Sequence, residues 1–185
     1  GSWEDWRPDA GDFPEAVLGW QLHGWEGERW LDIRAPELRD IMTARIAMCA
    51  EKGFPAIDFD NVDGYANPTG FPDMSADDQI QYLTFLSDAS HEAGLAVGLK
   101  NDVEQIPDLV DLFDFAINEE CWQYDECNMY DAFVGAGKAV WNIEYDIGTK
   151  KLLNKICPKA AKLGIKTIKS RYALKQGGRI PCPDA

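Results

Sequence analysis

Two short apolar runs of this chain end in acid. Phe54-Pro55-Ala56-Ile57-Asp58-Phe59 leads into Asp60-Asn61, and Phe113-Asp114-Phe115-Ala116-Ile117-Asn118 leads into Glu119-Glu120. Runs of this length read as strands. In parallel α/β folds, ligands sit at the carboxyl ends of strands. One carboxylate at each of two strand ends is the minimum equipment for cleaving a glycosidic bond. Two more runs end in polar groups, residues 95–99 in Lys100-Asn101 and residues 138–143 in Glu144-Tyr145. A plainer reading exists for each acid. Asp60 and Asp63-Gly64 suit turns and caps, and adjacent glutamates suit a solvated loop. The company of Glu119, which precedes Cys121, Trp122 and Tyr124, is unusual for solvation alone. His91 falls late on a helix, where it complements the dipole. Without a Ser or Cys nucleophile motif near His23 or His91, a hydrolase triad finds no support.

The elements that must hold these groups alternate. The pattern predicts a short helix near 12–18, a strand at 29–33 and a helix from Pro36 to Lys52. That helix turns Leu38, Ile41, Met42, Ile46 and Cys49 inward, which makes Cys49 a buried thiol, and Gly53 stops it. A strand follows at 54–59, then a long loop to Ser75, the N-cap of a helix ending before Gly94. Strands at 95–99, 113–117, 138–143 and 165–169 alternate with helices near 103–111, 129–136 and 150–163, and a basic tail closes the chain. About six strands in βα order mean a parallel sheet. No GxGxxG or Walker pattern follows any of them, so nucleotide-binding folds lose ground. Chemistry at several strand ends favours a (β/α)8 barrel, which needs eight strands; two are then missing.

Composition sets the partners. A chain of 185 residues is long enough for one domain, taken as 1–185. A net charge of −14 repels nucleic acid and anionic membranes and attracts cationic partners, although solubility alone accounts for it as well. No apolar run reaches the ~18 residues of a membrane span. Seven Trp are many for this length, and exposed rings suit sugar faces. Five Cys leave the pairing open. Cys121 with Cys127 and Cys157 with Cys182 would make two bridges, with Cys49 odd, as fits an exported protein. Neither His stands at ligand spacing from these Cys and no CxxC occurs, so no metal and no cofactor are expected.

Several segments, in this order, carry a resemblance. They are Gly1-Ser2-Trp3-Glu4-Asp5-Trp6-Arg7-Pro8-Asp9, Trp30-Leu31-Asp32-Ile33-Arg34, Asp60-Asn61-Val62-Asp63-Gly64-Tyr65 and Gly98-Leu99-Lys100-Asn101. Asn118-Glu119-Glu120-Cys121-Trp122-Gln123-Tyr124-Asp125-Glu126-Cys127 and Ala139-Val140-Trp141-Asn142-Ile143-Glu144-Tyr145 complete the set. They resemble glycoside hydrolase family 114, the endo-α-1,4-polygalactosaminidases, over all but the C-terminal tail. Glu120 departs from the family's usual Gln and adds a negative charge beside the site.

The resemblance implies a (β/α)8 TIM-barrel fold with about six βα units in this chain. In the family the Gly-Ser-Trp-Glu-Asp-Trp segment follows the second strand, so the first two strands are expected to lie outside the sequence. Bare sheet edges are a liability. Either a second fragment completes the barrel, or the sequence is incomplete, or the ends pair in another way. The matching catalytic positions are Asp60 and Glu119. Substrate contacts are expected from Trp3, Asp5, Asn61, Asp63, Tyr65, Lys100, Asn101, Trp122, Tyr124, Glu144 and Tyr145. Barrel-mouth packing is the plain alternative for the aromatic ones. The implied substrate is galactosaminogalactan, a partly deacetylated, cationic polysaccharide, cleaved outside the cell with retention. Retention requires carboxyl groups about 5–5.5 Å apart, inversion about 6.5–9.5 Å. Lys100 near Asp60 suits a nucleophile kept ionised, and the surroundings of Glu119 suit the acid/base. A non-catalytic carbohydrate-binding barrel remnant, and a glycosidase of the same fold acting on another α-linked polysaccharide, are the competing readings.

Overall fold

The computed structural model describes residues 1–172 and 178–183. The chain gathers into two compact units, Gly1–Phe113 and Asp114–Ala185.

The first unit opens with β1 (Ser2–Glu4), β2 (Leu18–Gln21) and β3 (Glu28–Leu31) in an antiparallel sheet of order β1-β3-β2. The strand expected near 29 is therefore present, but its neighbours are antiparallel and it begins no βα unit. Its partners lie in Gly- and Trp-rich segments without apolar alternation, which hides them from pattern reading. Phe13, Val17, Leu31 and Leu38 form a buried cluster beneath this sheet, with Trp3 packed against it. In α1 (Glu37–Glu51), Leu38, Met42 and Ile46 are buried at four-residue spacing. Cys49 is a free thiol, half-buried rather than buried, because it falls in the last turn.

The parallel pair of this unit is β4 (Ala56–Asp58) with β5 (Ala96–Lys100), pairing Asp58 with Gly98. Between them runs α2 (Ala76–Glu92), opened by a Ser75–Asp78 capping box and followed by Gly94 at φ +77°. The helix expected at 103–111 is a 3-10 turn at Val103–Gln105 followed by one turn, α3 (Ile106–Leu109), where Pro107 takes an early position.

The second unit holds β6 (Phe115–Glu119), β7 (Ala139–Glu144) and β8 (Ile165–Lys169), all parallel, and the short β9 (Ile180–Pro181) antiparallel on β8. The sequence assigns β9 to the tail, since two residues carry no period. Between β6 and β7 lie α4 (Cys121–Tyr124), a 3-10 turn at Cys127–Tyr130 and α5 (Asp131–Gly135). Between β7 and β8 run α6 (Thr149–Lys151), a π-helical turn at Leu152–Ile156 and α7 (Cys157–Leu163). Pro158 has no N–H to continue the α ladder and its ring crowds the preceding carbonyls, which accounts for the wider turn before it. Cys121 bonds Cys127 across α4, and Cys157 bonds Cys182, fastening the segment after β9 to α7. Among the described residues no helix is long and apolar enough to cross a membrane, and no cluster of side chains could hold a metal ion.

Candidate active site

Asp60 follows β4 by two residues, and Lys100 ends β5. Asp58 pairs with Gly98, so a further step of two brings Asp60 and Lys100 side by side on one face. Lys100 Nζ donates to Asp60 Oδ1 at 2.8 Å. The Asn61 N–H donates to the same oxygen at 3.0 Å. The ammonium is buried, whereas the Asp60 side chain is 62% exposed. Desolvation pushes the Asp60 carboxyl up; the Lys100 charge, its hydrogen bond and the Asn61 N–H outweigh this and hold the carboxyl below its ordinary value. The result is an ionised carboxylate open to solvent and braced from behind by a cation. Asn61, at φ +55°, turns its own amide away to Ser2 Oγ at 2.8 Å. Residue 1 passes so close above that a Cβ on Gly1 would lie 1.9 Å from the Asn61 carbonyl oxygen.

Beyond Lys100 the chain makes two left-handed residues, Asn101 and Asp102, with φ of +51° and +50°. The turn folds Asp102 inward to 4% exposure, and neither carboxyl oxygen has a formed hydrogen bond. Tyr65, in the 3-10 turn Gly64–Ala66, donates its hydroxyl to Glu104 at 3.2 Å. Burial raises the Asp102 carboxyl to about 7; the nearby Tyr65 hydroxyl opposes this, and Asp63 and Glu104 add to it. Burial first, then Asp102 and Glu104, push the Tyr65 phenol up, so it stays a donor. Asp102 and Glu104 were not among the residues singled out from the sequence. The available signal was Asn101-Asp102 following a strand-end Lys, two residue types that tolerate left-handed backbone.

In the second unit, Glu119 ends β6 opposite Ile143 of β7. Tyr145 lies two residues beyond Ile143, hence on the same face, and its hydroxyl donates to Glu119 Oε1 in a short hydrogen bond. The Tyr145 ring rests on Tyr172 with centroids 5.1 Å apart. Glu120, at φ +64°, reverses the chain into α4; burial, then Asp146 and Glu119, raise its carboxyl. Glu144, one residue before Tyr145, points to the other face. It is fully buried and accepts from the Trp122 N–H at 2.9 Å, and desolvation raises its carboxyl. The Trp122 indole donates to Thr167 Oγ1 at 3.1 Å. Asn118 Oδ1 caps the same turn from the Cys121 N–H at 2.8 Å.

The expected residues thus separate. Asp60, Asn61 and Lys100 meet in one cluster, and Asp63 and Tyr65 share another with Asp102. Glu119 and Tyr145 meet in the second unit, where Glu144 and Trp122 together brace α4. Trp3 donates to the Ala10 carbonyl at 3.0 Å and packs against the core cluster, while Asp5 is an exposed residue beside Gly27. Tyr124 is exposed, and Asn101 is half-buried beside Lys100.

Carboxylates at the ends of parallel strands are the arrangement that glycoside hydrolases of the (β/α)8-barrel class use. The chain belongs to glycoside-hydrolase family GH114, whose model matches residues 1–184, the tail included. It is similar to Ega3 of Aspergillus fumigatus, seen in a crystal structure in complex with galactosamine. Identity is 35% and the TM-score 0.91, over 98% of this chain and 75% of that one. The glycoside hydrolase domain of PelA from Pseudomonas aeruginosa shares the fold at 15% identity and a TM-score of 0.68, over 100% of this chain and 79% of that one. A search of curated protein sequences finds no match.

Proposed function

We propose that the chain is an endo-acting hydrolase of α-1,4-linked galactosamine in galactosaminogalactan, with Asp60 as nucleophile and Glu119 as acid/base of a retaining mechanism. The observation that carries the reading is Asp60 itself. It is a solvent-open carboxylate held ionised by Lys100 and Asn61, in a chain of this family that is 35% identical to Ega3. An ionised, braced carboxylate suits attack on the anomeric carbon. Its negative charge is neutralised as the glycosyl bond forms, and Lys100 then becomes the oriented cation that receives it back on hydrolysis. Glu119 supplies the proton to the leaving oxygen and later takes one from water. The Tyr145 hydroxyl on Oε1 fixes the carboxyl plane for both steps. A cationic polymer is consistent with a chain of net charge −14. Two disulfides fit export to an oxidising compartment.

Incubation with partly deacetylated galactosaminogalactan, followed by mass spectrometry, is expected to yield shorter oligomers, and Asp60→Asn to abolish them. Azide rescue of the nucleophile variant, with the product anomer read by NMR, assigns the two roles. Full activity of Asp60→Asn refutes the assignment. Binding without cleavage indicates a carbohydrate-binding barrel, and indifference to deacetylation indicates another α-linked substrate.

A further inference from the structure

Trp20 lies in β2 and is 64% exposed, yet it is seated with care. A Cβ placed on Gly70 would come 2.6 Å from Trp20 Cδ1 and 2.9 Å from both Cγ and Nε1. Near-equal distances to three atoms of the five-membered ring put Gly70 beneath the ring face rather than at its edge. Gly70 has φ +89°, a conformation in which side chains are strained. The Trp20 N–H donates to the Thr69 carbonyl at 2.7 Å. Gly19 approaches the same carbonyl so closely that a Cβ there would lie 2.2 Å from it and 2.6 Å from the Phe71 ring. Arg29 donates to the carbonyls of Leu18 and Gly19, both at 2.8 Å, and its third contact is Glu15. The backbone that carries the indole is therefore pinned by Arg29 and Thr69, and one ring face is laid on bare backbone.

This arrangement contributes little to folding, because most of the ring stays in water. It is instead the geometry of a rigid flat surface. Aromatic faces of this kind stack on the C–H face of a pyranose, and their negative quadrupole attracts a nearby ammonium group. We propose that Trp20, seated on Gly70, is a stacking platform for one amino-sugar ring of the polysaccharide. It is built from residues that the carboxylate clusters do not use. Gly70 and Thr69 belong to the loop of residues 61–75, which begins next to Asp60. The platform rests on the glycosidase reading above and adds to it a hold on the polymer outside the reacting sugar.

Trp20→Ala and Trp20→Phe in the full chain test it. On partly deacetylated galactosaminogalactan, Trp20→Ala is expected to raise KM about fivefold to tenfold with kcat unchanged, and Trp20→Phe to restore most of the loss. Hydrolysis of a short galactosamine oligomer should match wild type, and the melting temperature should hold because the ring is exposed. Affinity electrophoresis in gels containing the polymer gives a readout independent of turnover, in which Trp20→Ala should migrate faster than wild type. Equal retardation and equal KM overturn the platform while leaving the carboxylate assignment intact. A wild-type chain that the polymer neither retards nor feeds overturns the functional reading, and the platform with it. Retardation of wild type without cleavage, lost in Trp20→Ala, supports the platform and refutes hydrolysis.

Discussion

Asp102→Asn should make the protein's stability less dependent on pH. Asp102 is 4% exposed, has no formed hydrogen bond on either carboxyl oxygen and faces Tyr65, Asp63 and Glu104. Its carboxyl moves from 3.8 to about 7. The folded state therefore holds this proton to higher pH than the unfolded chain does. The sign follows: stability falls as pH rises from about 4 and levels off above about 7. At about 1.4 kcal/mol per unit, the full cost at alkaline pH is ~4 kcal/mol. The portion between pH 5 and pH 8 is ~2.5 kcal/mol. The Tyr65 hydroxyl already opposes burial in setting that value, so the variant should lose most of this ~2.5 kcal/mol of pH dependence. Asn has the same shape and no charge. Urea unfolding at the two pH values measures this pH dependence directly, as the difference between wild type and variant in how far stability falls. Glu120 and Glu144 also titrate, but they do so in both proteins and cancel. A variant with the wild-type pH dependence refutes the reasoning. A variant destabilised equally at both pH values would show that Asp102 is ionised and paired in the fold.

Three further outcomes follow from the same geometry. Lys100→Met removes the cation that holds Asp60 ionised, so the acid limb of the kcat/KM profile should move to higher pH, with activity reduced about tenfold or more; an unmoved limb would refute the proposed role of Asp60 as the nucleophile that Lys100 keeps ionised. Tyr145→Phe deletes the hydroxyl on Glu119 Oε1 and, on the proposed role of Glu119 as acid/base, should lower kcat about tenfold with little change in KM, because the bond would orient that carboxyl rather than the ground-state sugar; a pure KM effect would contradict this. Cys182→Ser opens a link spanning 25 residues and should cost ~3 kcal/mol in chemical unfolding, with β9 losing hydrogen-exchange protection first; unchanged protection at Ile180 would show that the segment holds without the bridge.

Much of the candidate site was legible before the fold. Asp60, Lys100 and Glu119 could be found because each ends an apolar run, and a run of five or six residues announces its own end. Ser75 announced itself as an N-cap, although its reciprocal bond with Asp78 is seen only in the fold, and the two disulfides were among the pairings that spacing allowed. Asp102 escaped because nothing local marks a burial. Its carboxyl is inside only because two successive left-handed residues fold it under the loop bearing Tyr65. Glu144 shows the converse. In sequence it shares a strand end with Tyr145, yet alternation sends it to the opposite face, where it braces α4 beneath Trp122. Trp3 and Trp20 make the same point with one residue type: one is half-buried against the core cluster and the other lies on bare backbone in water.

What the chain determines by itself, then, is where the parallel strands fall, which residue types stand at their ends, and the alternating order that brings those ends into one kind of fold. Family membership follows from these, since the motifs are short and lie in sequence order. What only the tertiary structure decides is ionisation, partnership and exposure. Those depend on which loop covers which carboxyl and which cation lies across a strand pair. Lys100 and Asp60 are forty positions apart along the chain and 2.8 Å apart in the fold. That distance is set by the β4–β5 register, and no local reading of either residue contains it.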